Sequence, residues 1–370
     1  MSTGTHTATV AARRLAALGI DPAPGGGAAA IEQLVSDRLA LQAQDLASGL
    51  WSVGLRTGAS AVEIHQAIRD RAITRSWPMR GTLHLMATRD VRWMCLLLAP
   101  RSMRQARSRL AQLELTDAVI DRARDLLGAA LADGRALTRV EAFAVLRAGG
   151  VPPDGQRGIH LLGRFCQEGL LCQGPLAGPH PTFVLLEDWV PFSWLPDRAE
   201  AMATVARRYV AGHGPVTLKD LAGWTGETLA FAREAVALAG DCLVVESIDG
   251  VPHLVHVDAP APAARPGTYL LPGFDEFLLG YKDRSSMLTR EEELRVVPGR
   301  NGVFLPTVVV GGVVVGTWTR STSAARVDVT VQPWGSVSSS RRRAIEAAAA
   351  GYGRFLGVPA RVSWSDPATP

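Results

Sequence analysis

The sequence predicts an α+β fold built from repeated units of helices followed by a short hairpin. Apolar residues recur at helical spacing in neighbouring segments, and each group of segments leads into a short alternating strand. Breaks rich in glycine and proline separate the groups. Helices and a hairpin in this order are the layout of a winged helix-turn-helix. We therefore predict three such units in tandem, completed by C-terminal strands, a β-hairpin and a terminal helix.

The composition is that of a globular protein. With 370 residues, 47% apolar and 20% charged, the chain can bury a sizeable core, which excludes global disorder. The net charge of +4 is too small to indicate a partner. No stretch of about 18 uncharged apolar residues occurs, and residues 1–14 lack the layout of a signal peptide. We therefore expect no membrane span and a cytoplasmic location.

The sequence does not indicate a metal or another cofactor. None of the four cysteines forms a C-x-x-C pair, and no two histidines have the spacing of metal ligands. Few cysteines in a long chain also argue against a disulfide scaffold. The signatures of P-loop ATPases, dinucleotide-binding dehydrogenases, zinc proteases and α/β-hydrolases are absent.

The first unit is predicted over residues 1–110. Ile31–Ala40 and Ala61–Ile73 carry apolar residues at helical spacing. Pro78 and Gly81 exclude a helix in the segment that follows, and the alternation after Gly81 suits a strand.

The second and third units are predicted over residues 111–197 and 198–258. Thr138 and Glu141 fit a capping box at the start of a helix that runs to Leu146. Asp249-Gly250 between two apolar segments predicts a hairpin with a type I′ turn. The other predicted elements are helices at Gly158–Leu171, Arg198–Ala211, Thr217–Gly223 and Thr225–Leu238, and strands at Thr182–Leu186, Cys242–Ile248 and Val251–Val257.

A linker over residues 259–266 leads to the C-terminal part, residues 267–358, and we expect residues 359–370 to be a frayed tail. The predicted elements of this part are strands at Thr268–Leu271, Val303–Val310, Val313–Trp318 and Ala325–Gln332, and a helix at Ser339–Leu356.

Positive charge is concentrated in residues 69–109. This stretch has ten arginines against two aspartates, a net charge of +8, which is twice that of the whole chain. Such a patch attracts a polyanion, and its coincidence with the first unit favours nucleic acid. The alternative is a solvated helix face in a protein that uses arginine almost exclusively as its basic residue.

Three further features could carry chemistry. Gln42 and Gln44 lie on one side of an extended segment, where two amides could hold a water molecule, although the spacing alone favours a surface or capping pair. His84 follows the flexible Gly81 and could bind a phosphate or cap a strand. Asp275-Glu276 favours structural pairing with arginine over acid–base chemistry.

Several blocks of the sequence resemble one known family, the AlkZ-like winged-helix DNA glycosylases. The resemblance runs in order from about Arg13 to Leu356. It rests on Leu41-Gln-Ala-Gln-Asp45, Leu50-Trp-Ser52, Trp77-Pro-Met-Arg-Gly-Thr-Leu-His84, Leu271-Pro-Gly-Phe-Asp-Glu-Phe-Leu-Leu-Gly-Tyr281, Asn301-Gly-Val-Phe-Leu-Pro-Thr307 and Val315-Gly-Thr-Trp318.

The resemblance implies tandem winged helices bent around a concave DNA-binding channel. It implies excision of alkylated purines from double-stranded DNA, including bulky N7-adducts and interstrand crosslinks left by DNA-alkylating natural products, as in self-resistance. Gln42-Ala43-Gln44 matches the Gln-x-Gln motif of one branch, so Gln42 and Gln44 become the expected catalytic residues. We expect a monomer that needs no cofactor.

The basic patch and the hairpin complete the expected site. We predict DNA contacts from Arg75, Trp77, Arg80, Gly81, His84, Arg101, Arg104 and Arg107. We predict a lesion-probing hairpin tip formed by Val310, Gly311, Gly312 and Val313, which would wedge into a groove; the alternative is a wing packed on the core.

The residues also predict how the reaction ends. A glycosylase that also cleaves the DNA strand typically uses an amine to form a Schiff base with the sugar. The chain has only two lysines, Lys219 and Lys282, and neither lies near the glutamine motif. We therefore predict a monofunctional enzyme that leaves an abasic site.

Two other functions stay open at this point. Winged helices are more often transcriptional regulators than enzymes, although three in one chain would be unusual for a regulator. A weaker alternative is a protein that sequesters an alkylating toxin without binding DNA. A regulator binds a particular sequence, whereas a glycosylase acts on damage in any sequence.

Overall fold

The computed structural model describes residues 3–20, 27–190, 194–263, 266–299 and 301–366. None of the helices in these ranges is long and apolar enough to cross a membrane.

The first segment contains helices around a hairpin and a short strand. Ser60 and Glu63 form a capping box that starts α4, and Asp45 caps α3. α4 ends at Arg69 rather than at the predicted Ile73, because Arg71 takes a positive φ of 63° and the chain enters a strand. The elements are α1 Thr3–Ala17, α2 Ala28–Asp37, β1 Leu41–Gln42, α3 Leu46–Thr57, α4 Ala61–Arg69, β2 Ile73–Met79, β3 Thr82–Ala87, α5 Val91–Gln105 and α6 Arg107–Gln112.

The second segment shares one sheet with the first. The strand order is β1-β3-β2-β5-β6-β4, and the two segments join where Arg75 of β2 pairs with Gln173 of β5. The predicted helix over Gly158–Leu171 ends at Gln167, and Leu171 begins β5. The elements are α7 Asp117–Leu131, β4 Leu137–Thr138, α8 Arg139–Ala148, α9 Arg157–Gln167, β5 Leu171–Ala177, β6 His180–Leu185 and α10 Leu186–Trp189.

The third segment follows the predicted order closely. Asp249 and Gly250 have φ values of 50° and 76°, as a type I′ turn requires. The elements are α11 Arg198–His213, α12 Leu218–Thr225, α13 Leu229–Ala239, β7 Leu243–Ile248 and β8 Val251–His256.

The C-terminal part forms a second large sheet with the order β13-β12-β11-β10-β9. The prediction of a frayed tail over 359–370 is wrong for residues 360–364. They pair in parallel with β12, because Ala360, Val362 and Trp364 pack against the core beneath this sheet. The elements are β9 Thr268–Leu271, α14 Glu276–Leu279, α15 Arg290–Val296, β10 Thr307–Val310, β11 Val313–Thr322, β12 Val327–Pro333, α16 Ser339–Leu356 and β13 Ala360–Trp364.

Helix α3 attaches the first segment to the C-terminal sheet. Trp51 donates its indole N–H to the carbonyl of Leu270 at 2.7 Å and meets the ring of Tyr352 edge-on. One turn further on, Arg56 forms a fully buried bidentate ion pair with Asp275, at 2.8 and 2.9 Å. The predicted pairing of this aspartate with an arginine is therefore confirmed.

Asp275→Asn should destabilise the protein strongly, because it leaves the buried Arg56 guanidinium without a counter-charge. Removing one partner of a buried pair costs about 3–5 kcal/mol, to be measured as the free energy of unfolding in urea. The control is Arg147→Gln, which breaks an exposed pair with Asp154 and should cost less than about 1 kcal/mol. Equal losses from both variants would contradict this account.

Candidate active site

The glutamine motif begins on β1, a two-residue strand whose one strand partner among the described residues is β3. The Ala43 N–H donates to the carbonyl of Leu83 at 2.8 Å. Arg75 reaches the same backbone from β2 and donates to the carbonyl of Ala43 at 2.8 Å and to that of Gln44 at 3.1 Å. The backbone of the motif is thus fixed by one strand and one arginine.

The two glutamine side chains differ in their surroundings. Gln44 is exposed, and its Oε1 accepts from the Leu83 N–H at 3.0 Å. Gln42 is only 7% exposed, and its Oε1 has no hydrogen-bond partner within the described part of the chain. A buried acceptor normally has a hydrogen-bond donor. Of the two glutamines, Gln42 is therefore the one whose side-chain oxygen is expected to accept a hydrogen bond from a ligand or a water molecule.

His84 lies directly across from Gln42 on β3. Its Nδ1 faces the carbonyl of Thr82 at 2.9 Å, and its Nε2 faces the Arg80 guanidinium at 3.0 Å. An arginine only donates, so the proton lies on Nδ1 and Nε2 accepts. Burial, followed by the nearby charge of Arg80, lowers the pKa of His84 to about 3, and the ring is neutral at pH 7.

Glu276 reaches the motif from the other side, at the start of α14. Its Oε1 accepts from the Gln42 backbone N–H at 3.1 Å. Its Oε2 accepts from the indole N–H of Trp224 at 2.8 Å and lies 3.4 Å from Nε2 of His213. Burial opposes ionisation, but His213, Arg80 and Trp224 outweigh it and lower the pKa of Glu276 to about 2.

A cavity of about 1150 Å³ opens in front of the motif, between the first two segments. Five predicted site residues line it, namely Gln44, Arg75, Trp77, Arg80 and Gly81. The second segment supplies the facing wall, including His160, Arg164, Gln167, Gln173 and His180. Gly81 has a φ of 69°, so this turn requires a glycine for its backbone conformation.

Three of the residues predicted to contact DNA are buried in the structure. His84 is fully buried, and Arg75 and Trp77 are each 8% exposed, so they present little surface to a phosphate. Arg75 binds the motif's backbone, and Trp77 stacks on Phe183. These side chains therefore support the site from its buried side.

The predicted arginines of α5 and α6 are more exposed. Arg104 and Arg107 line a neighbouring cavity of about 870 Å³, and Arg164 borders both cavities. Arg101 is half-buried and lines neither. Within the described residues, none of the three predicted arginines forms an ion pair, so their charges are available to a polyanion.

The structure does not bring the tip Val310-Gly311-Gly312-Val313 to the glutamines. A side chain at Gly312 would meet Ala11 of α1, so this tip packs against the N-terminal helix. The opposite end of β11 lies at the motif, because Arg320 donates to the Asp45 carboxylate at 2.8 Å. At about 3.3 Å per residue, Arg320 is some 20 Å along the strand from the tip.

Several residues of the site could not be identified from sequence. Gln173, Arg320 and Glu276 come from distant parts of the chain and bind Arg75, Asp45 and the Gln42 backbone, respectively. Only Glu276 gave a signal, as one of two adjacent carboxylates after a Pro-Gly break, and we expected an arginine partner for it. Among the described residues, no cluster of three or more His, Cys, Asp or Glu side chains could hold a metal ion.

His84 should make the stability of the protein depend on pH. The unfolded chain binds a proton near pH 6.5, whereas the folded ring binds one only near pH 3. This contribution is therefore complete above pH 6.5 and declines as the pH falls, by up to about 1.4 kcal/mol per pH unit. Urea unfolding of His84→Gln at pH 7, 5.5 and 4.5 should show a smaller decline than the wild type. The exposed His180→Gln serves as the control, and identical slopes for wild type and His84→Gln would refute the assignment.

Comparisons with known proteins assign the chain to a family. Residues 35–355 match the family model described as DNA glycosylase AlkZ-like. An interstrand DNA cross-link repair glycosylase of Streptomyces sahachiroi is 27% identical over 335 residues, covering 86% of this chain and 88% of the relative. The solved structure of the S. sahachiroi DNA glycosylase AlkZ aligns over 98% of this chain and 100% of that one, with 25% identity and a TM-score of 0.78. The chain therefore belongs to the AlkZ-like family of DNA glycosylases, enzymes that hydrolyse N-glycosyl bonds.

Proposed function

We propose that this enzyme hydrolyses the N-glycosidic bond of N7-alkylated purines in double-stranded DNA and that Gln42 and Gln44 carry the reaction. The observation that supports this most directly is Gln42 Oε1, a buried acceptor without a protein partner. It belongs to a motif whose second glutamine lines the cavity. A water bound there would satisfy this oxygen.

The neutral amides suit a cationic substrate. An N7-alkylated guanine already carries a positive charge, so its bond to the sugar is weak and the base needs no proton from the enzyme. The enzyme has to place water at C1′ and stabilise an oxocarbenium-like sugar. Gln44 Oε1 keeps a second lone pair beside the Leu83 N–H, so both carbonyl oxygens can orient the water and face the developing charge.

The dimensions of the cavity favour a bulky lesion. Its volume of about 1150 Å³ exceeds the range of about 300–1000 Å³ typical of small-ligand sites. A tethered or bulky base is hard to rotate into a tight pocket, and a wide cleft between two segments avoids this. We propose bulky adducts or interstrand crosslinks of a DNA-alkylating natural product as substrates, with a role in self-resistance. The name of the S. sahachiroi relative supports the crosslink.

DNA binding is proposed to follow from the fold. In each of the first three segments, helices lead into a hairpin. This order supports the proposal of tandem winged helices around a channel. We propose that the protein acts as a monomer. Arg101, Arg104 and Arg107 would bind the DNA backbone through charge. The exposed turn over residues 321–326, beside the Arg320–Asp45 pair, is better placed than residues 310–313 to enter a groove.

The family description is that of an enzyme, which argues against a transcriptional regulator. Substitution of the glutamines tests the reaction directly. Duplexes carrying a small or a bulky N7-alkylguanine are incubated with enzyme, and alkali then reveals abasic sites. Gln42→Ala and Gln44→Ala should each lower the single-turnover rate by about 100-fold or more, because the water loses an oriented acceptor.

Gln112→Ala is the matched control, since Gln112 is an exposed glutamine on α6 and should leave the rate unchanged. Excision that survives in the double variant Gln42→Ala/Gln44→Ala would remove the pair from the mechanism. Absence of excision by the wild type, with sequence-specific DNA binding intact, would favour the regulator.

The enzyme should leave an intact strand with an abasic site. Lys219 lies on α12, and Lys282 packs against Gly223 of the same helix. Neither lysine lines the cavity, so neither side-chain amine is placed to form a Schiff base there. Borohydride added during turnover should trap no covalent protein–DNA adduct, while a bifunctional glycosylase assayed in parallel should be trapped. A trapped adduct lost in Lys219→Arg or Lys282→Arg would overturn the assignment.

A further inference from the structure

On the side of Gln42 away from β3, no strand in the described part of the chain pairs with the backbone. In an antiparallel pair, successive residues direct their N–H groups alternately toward and away from the neighbouring strand. Ala43 donates to Leu83 of β3, so the Gln42 N–H points to the other side. A buried N–H left unpaired there would be costly, and it would leave the strand that carries Gln42 weakly held.

Glu276 covers this edge. Its side chain is 1% exposed, and among the described residues no arginine or lysine forms an ion pair with it. The carboxylate instead joins three parts of the chain: β1 through the Gln42 N–H, α12 through Trp224 and α11 through His213. The adjacent Asp275 differs, because its carboxylate accepts from Arg56 and Ser52 of α3.

Aromatic side chains pack closely around Glu276 and its partner His213. The ring of His213 stacks on Tyr209 with centroids 4.5 Å apart, and it also contacts the rings of Trp224 and Tyr281. The hydroxyl of Tyr281 donates to the carbonyl of His213 at 2.8 Å. A carboxylate held by such neighbours can fix the position of a short edge strand.

We infer that Glu276 is a positioning residue for the glycosylase reaction. It holds β1 through the backbone N–H of Gln42 and so fixes the orientation of the Gln42 side-chain amide toward the attacking water. The inference rests on the proposed function for its catalytic consequence. Its structural part, the hydrogen bond to the Gln42 N–H, is independent of that function.

The test compares Glu276→Ala, Glu276→Gln and Trp224→Phe in single-turnover excision with saturating enzyme, together with the dissociation constant for duplex DNA. Glu276→Ala should lower the rate by about 100-fold, the scale of a misplacement of about 1 Å, and leave DNA binding nearly unchanged. Glu276→Gln keeps an acceptor oxygen and should recover most of that loss. Trp224→Phe removes one donor to Oε2 but keeps an aromatic ring in the cluster and leaves His213 beside the same oxygen. Oε1, the atom that accepts from the Gln42 N–H, keeps its partner, so the rate of this variant should stay within about threefold of wild type.

Amide hydrogen exchange at Gln42 provides the second readout. In the wild type this amide should be protected although it lies on an edge strand, and its exchange should accelerate in Glu276→Ala but not in Trp224→Phe. If Glu276→Ala does not fold, the exchange rate of the Gln42 backbone amide in the wild type and the excision rate of Glu276→Gln still test the positioning role. A Gln42 amide that exchanges as fast as that of the exposed Gln44 would overturn the inference.

Two further outcomes separate the positioning role of Glu276 from the proposed function. Equal rate losses in Trp224→Phe and Glu276→Ala would show that the whole buried cluster, rather than the contact to β1, sets the rate, and this would overturn the positioning role. A wild type that excises nothing while Gln42 stays protected by Glu276 would refute the proposed function and leave the contact established.

Discussion

The geometry of the site depends on how a two-residue edge strand is held. β1 has one neighbouring strand, and a short strand with one free edge is weakly specified by backbone pairing alone. Here side chains replace the missing strand: Arg75 binds the carbonyls of Ala43 and Gln44, and Glu276 binds the N–H of Gln42. Gln44 in turn occupies the Leu83 N–H. The motif that carries the proposed chemistry is therefore also part of its own scaffold.

This scaffold uses buried charges whose burial opposes folding. Arg56–Asp275 and the Glu276 cluster lie where α3, the third segment and the C-terminal sheet meet, and each charge is compensated by several hydrogen bonds. Buried ion pairs are weak contributors to net stability, but removing one partner is costly. Such groups suit a site that must hold a fixed geometry, because alternative packings leave a charge without partners. The neutral state of His84 follows from the same burial, and it leaves Arg80 as the charged member of this pair.

The cleft itself arises from the joining of two segments. Where β2 and β5 pair, Arg75 and Gln173 come together, and their side chains form a hydrogen bond at 2.9 Å. The glutamine motif belongs to the first segment and the facing wall to the second, so the relative position of the segments sets the size of the cleft. The width of the cleft and the fixed placement of the glutamines thus depend on different parts of the fold. This separation allows a wide cleft without loosening the motif.

The sequence by itself determined the features that depend on near neighbours in the chain. The capping box at Thr138, the type I′ turn at Asp249-Gly250 and most of the helices follow from local propensity, and the blocks around Gln42-Ala43-Gln44, Trp77–His84 and Leu271–Tyr281, taken together with the shorter ones, indicated the family. Only the tertiary structure decided the joint sheet, the strand at 360–364, the burial of Arg75 and His84, and the end of β11 that lies beside the motif. The partnership of Glu276 with Gln42 spans 234 residues. Contacts of this kind depend on how distant segments pack and on which polar groups that packing removes from water. The periodicity and spacing of residues along the chain do not predict how the segments pack or which groups become buried.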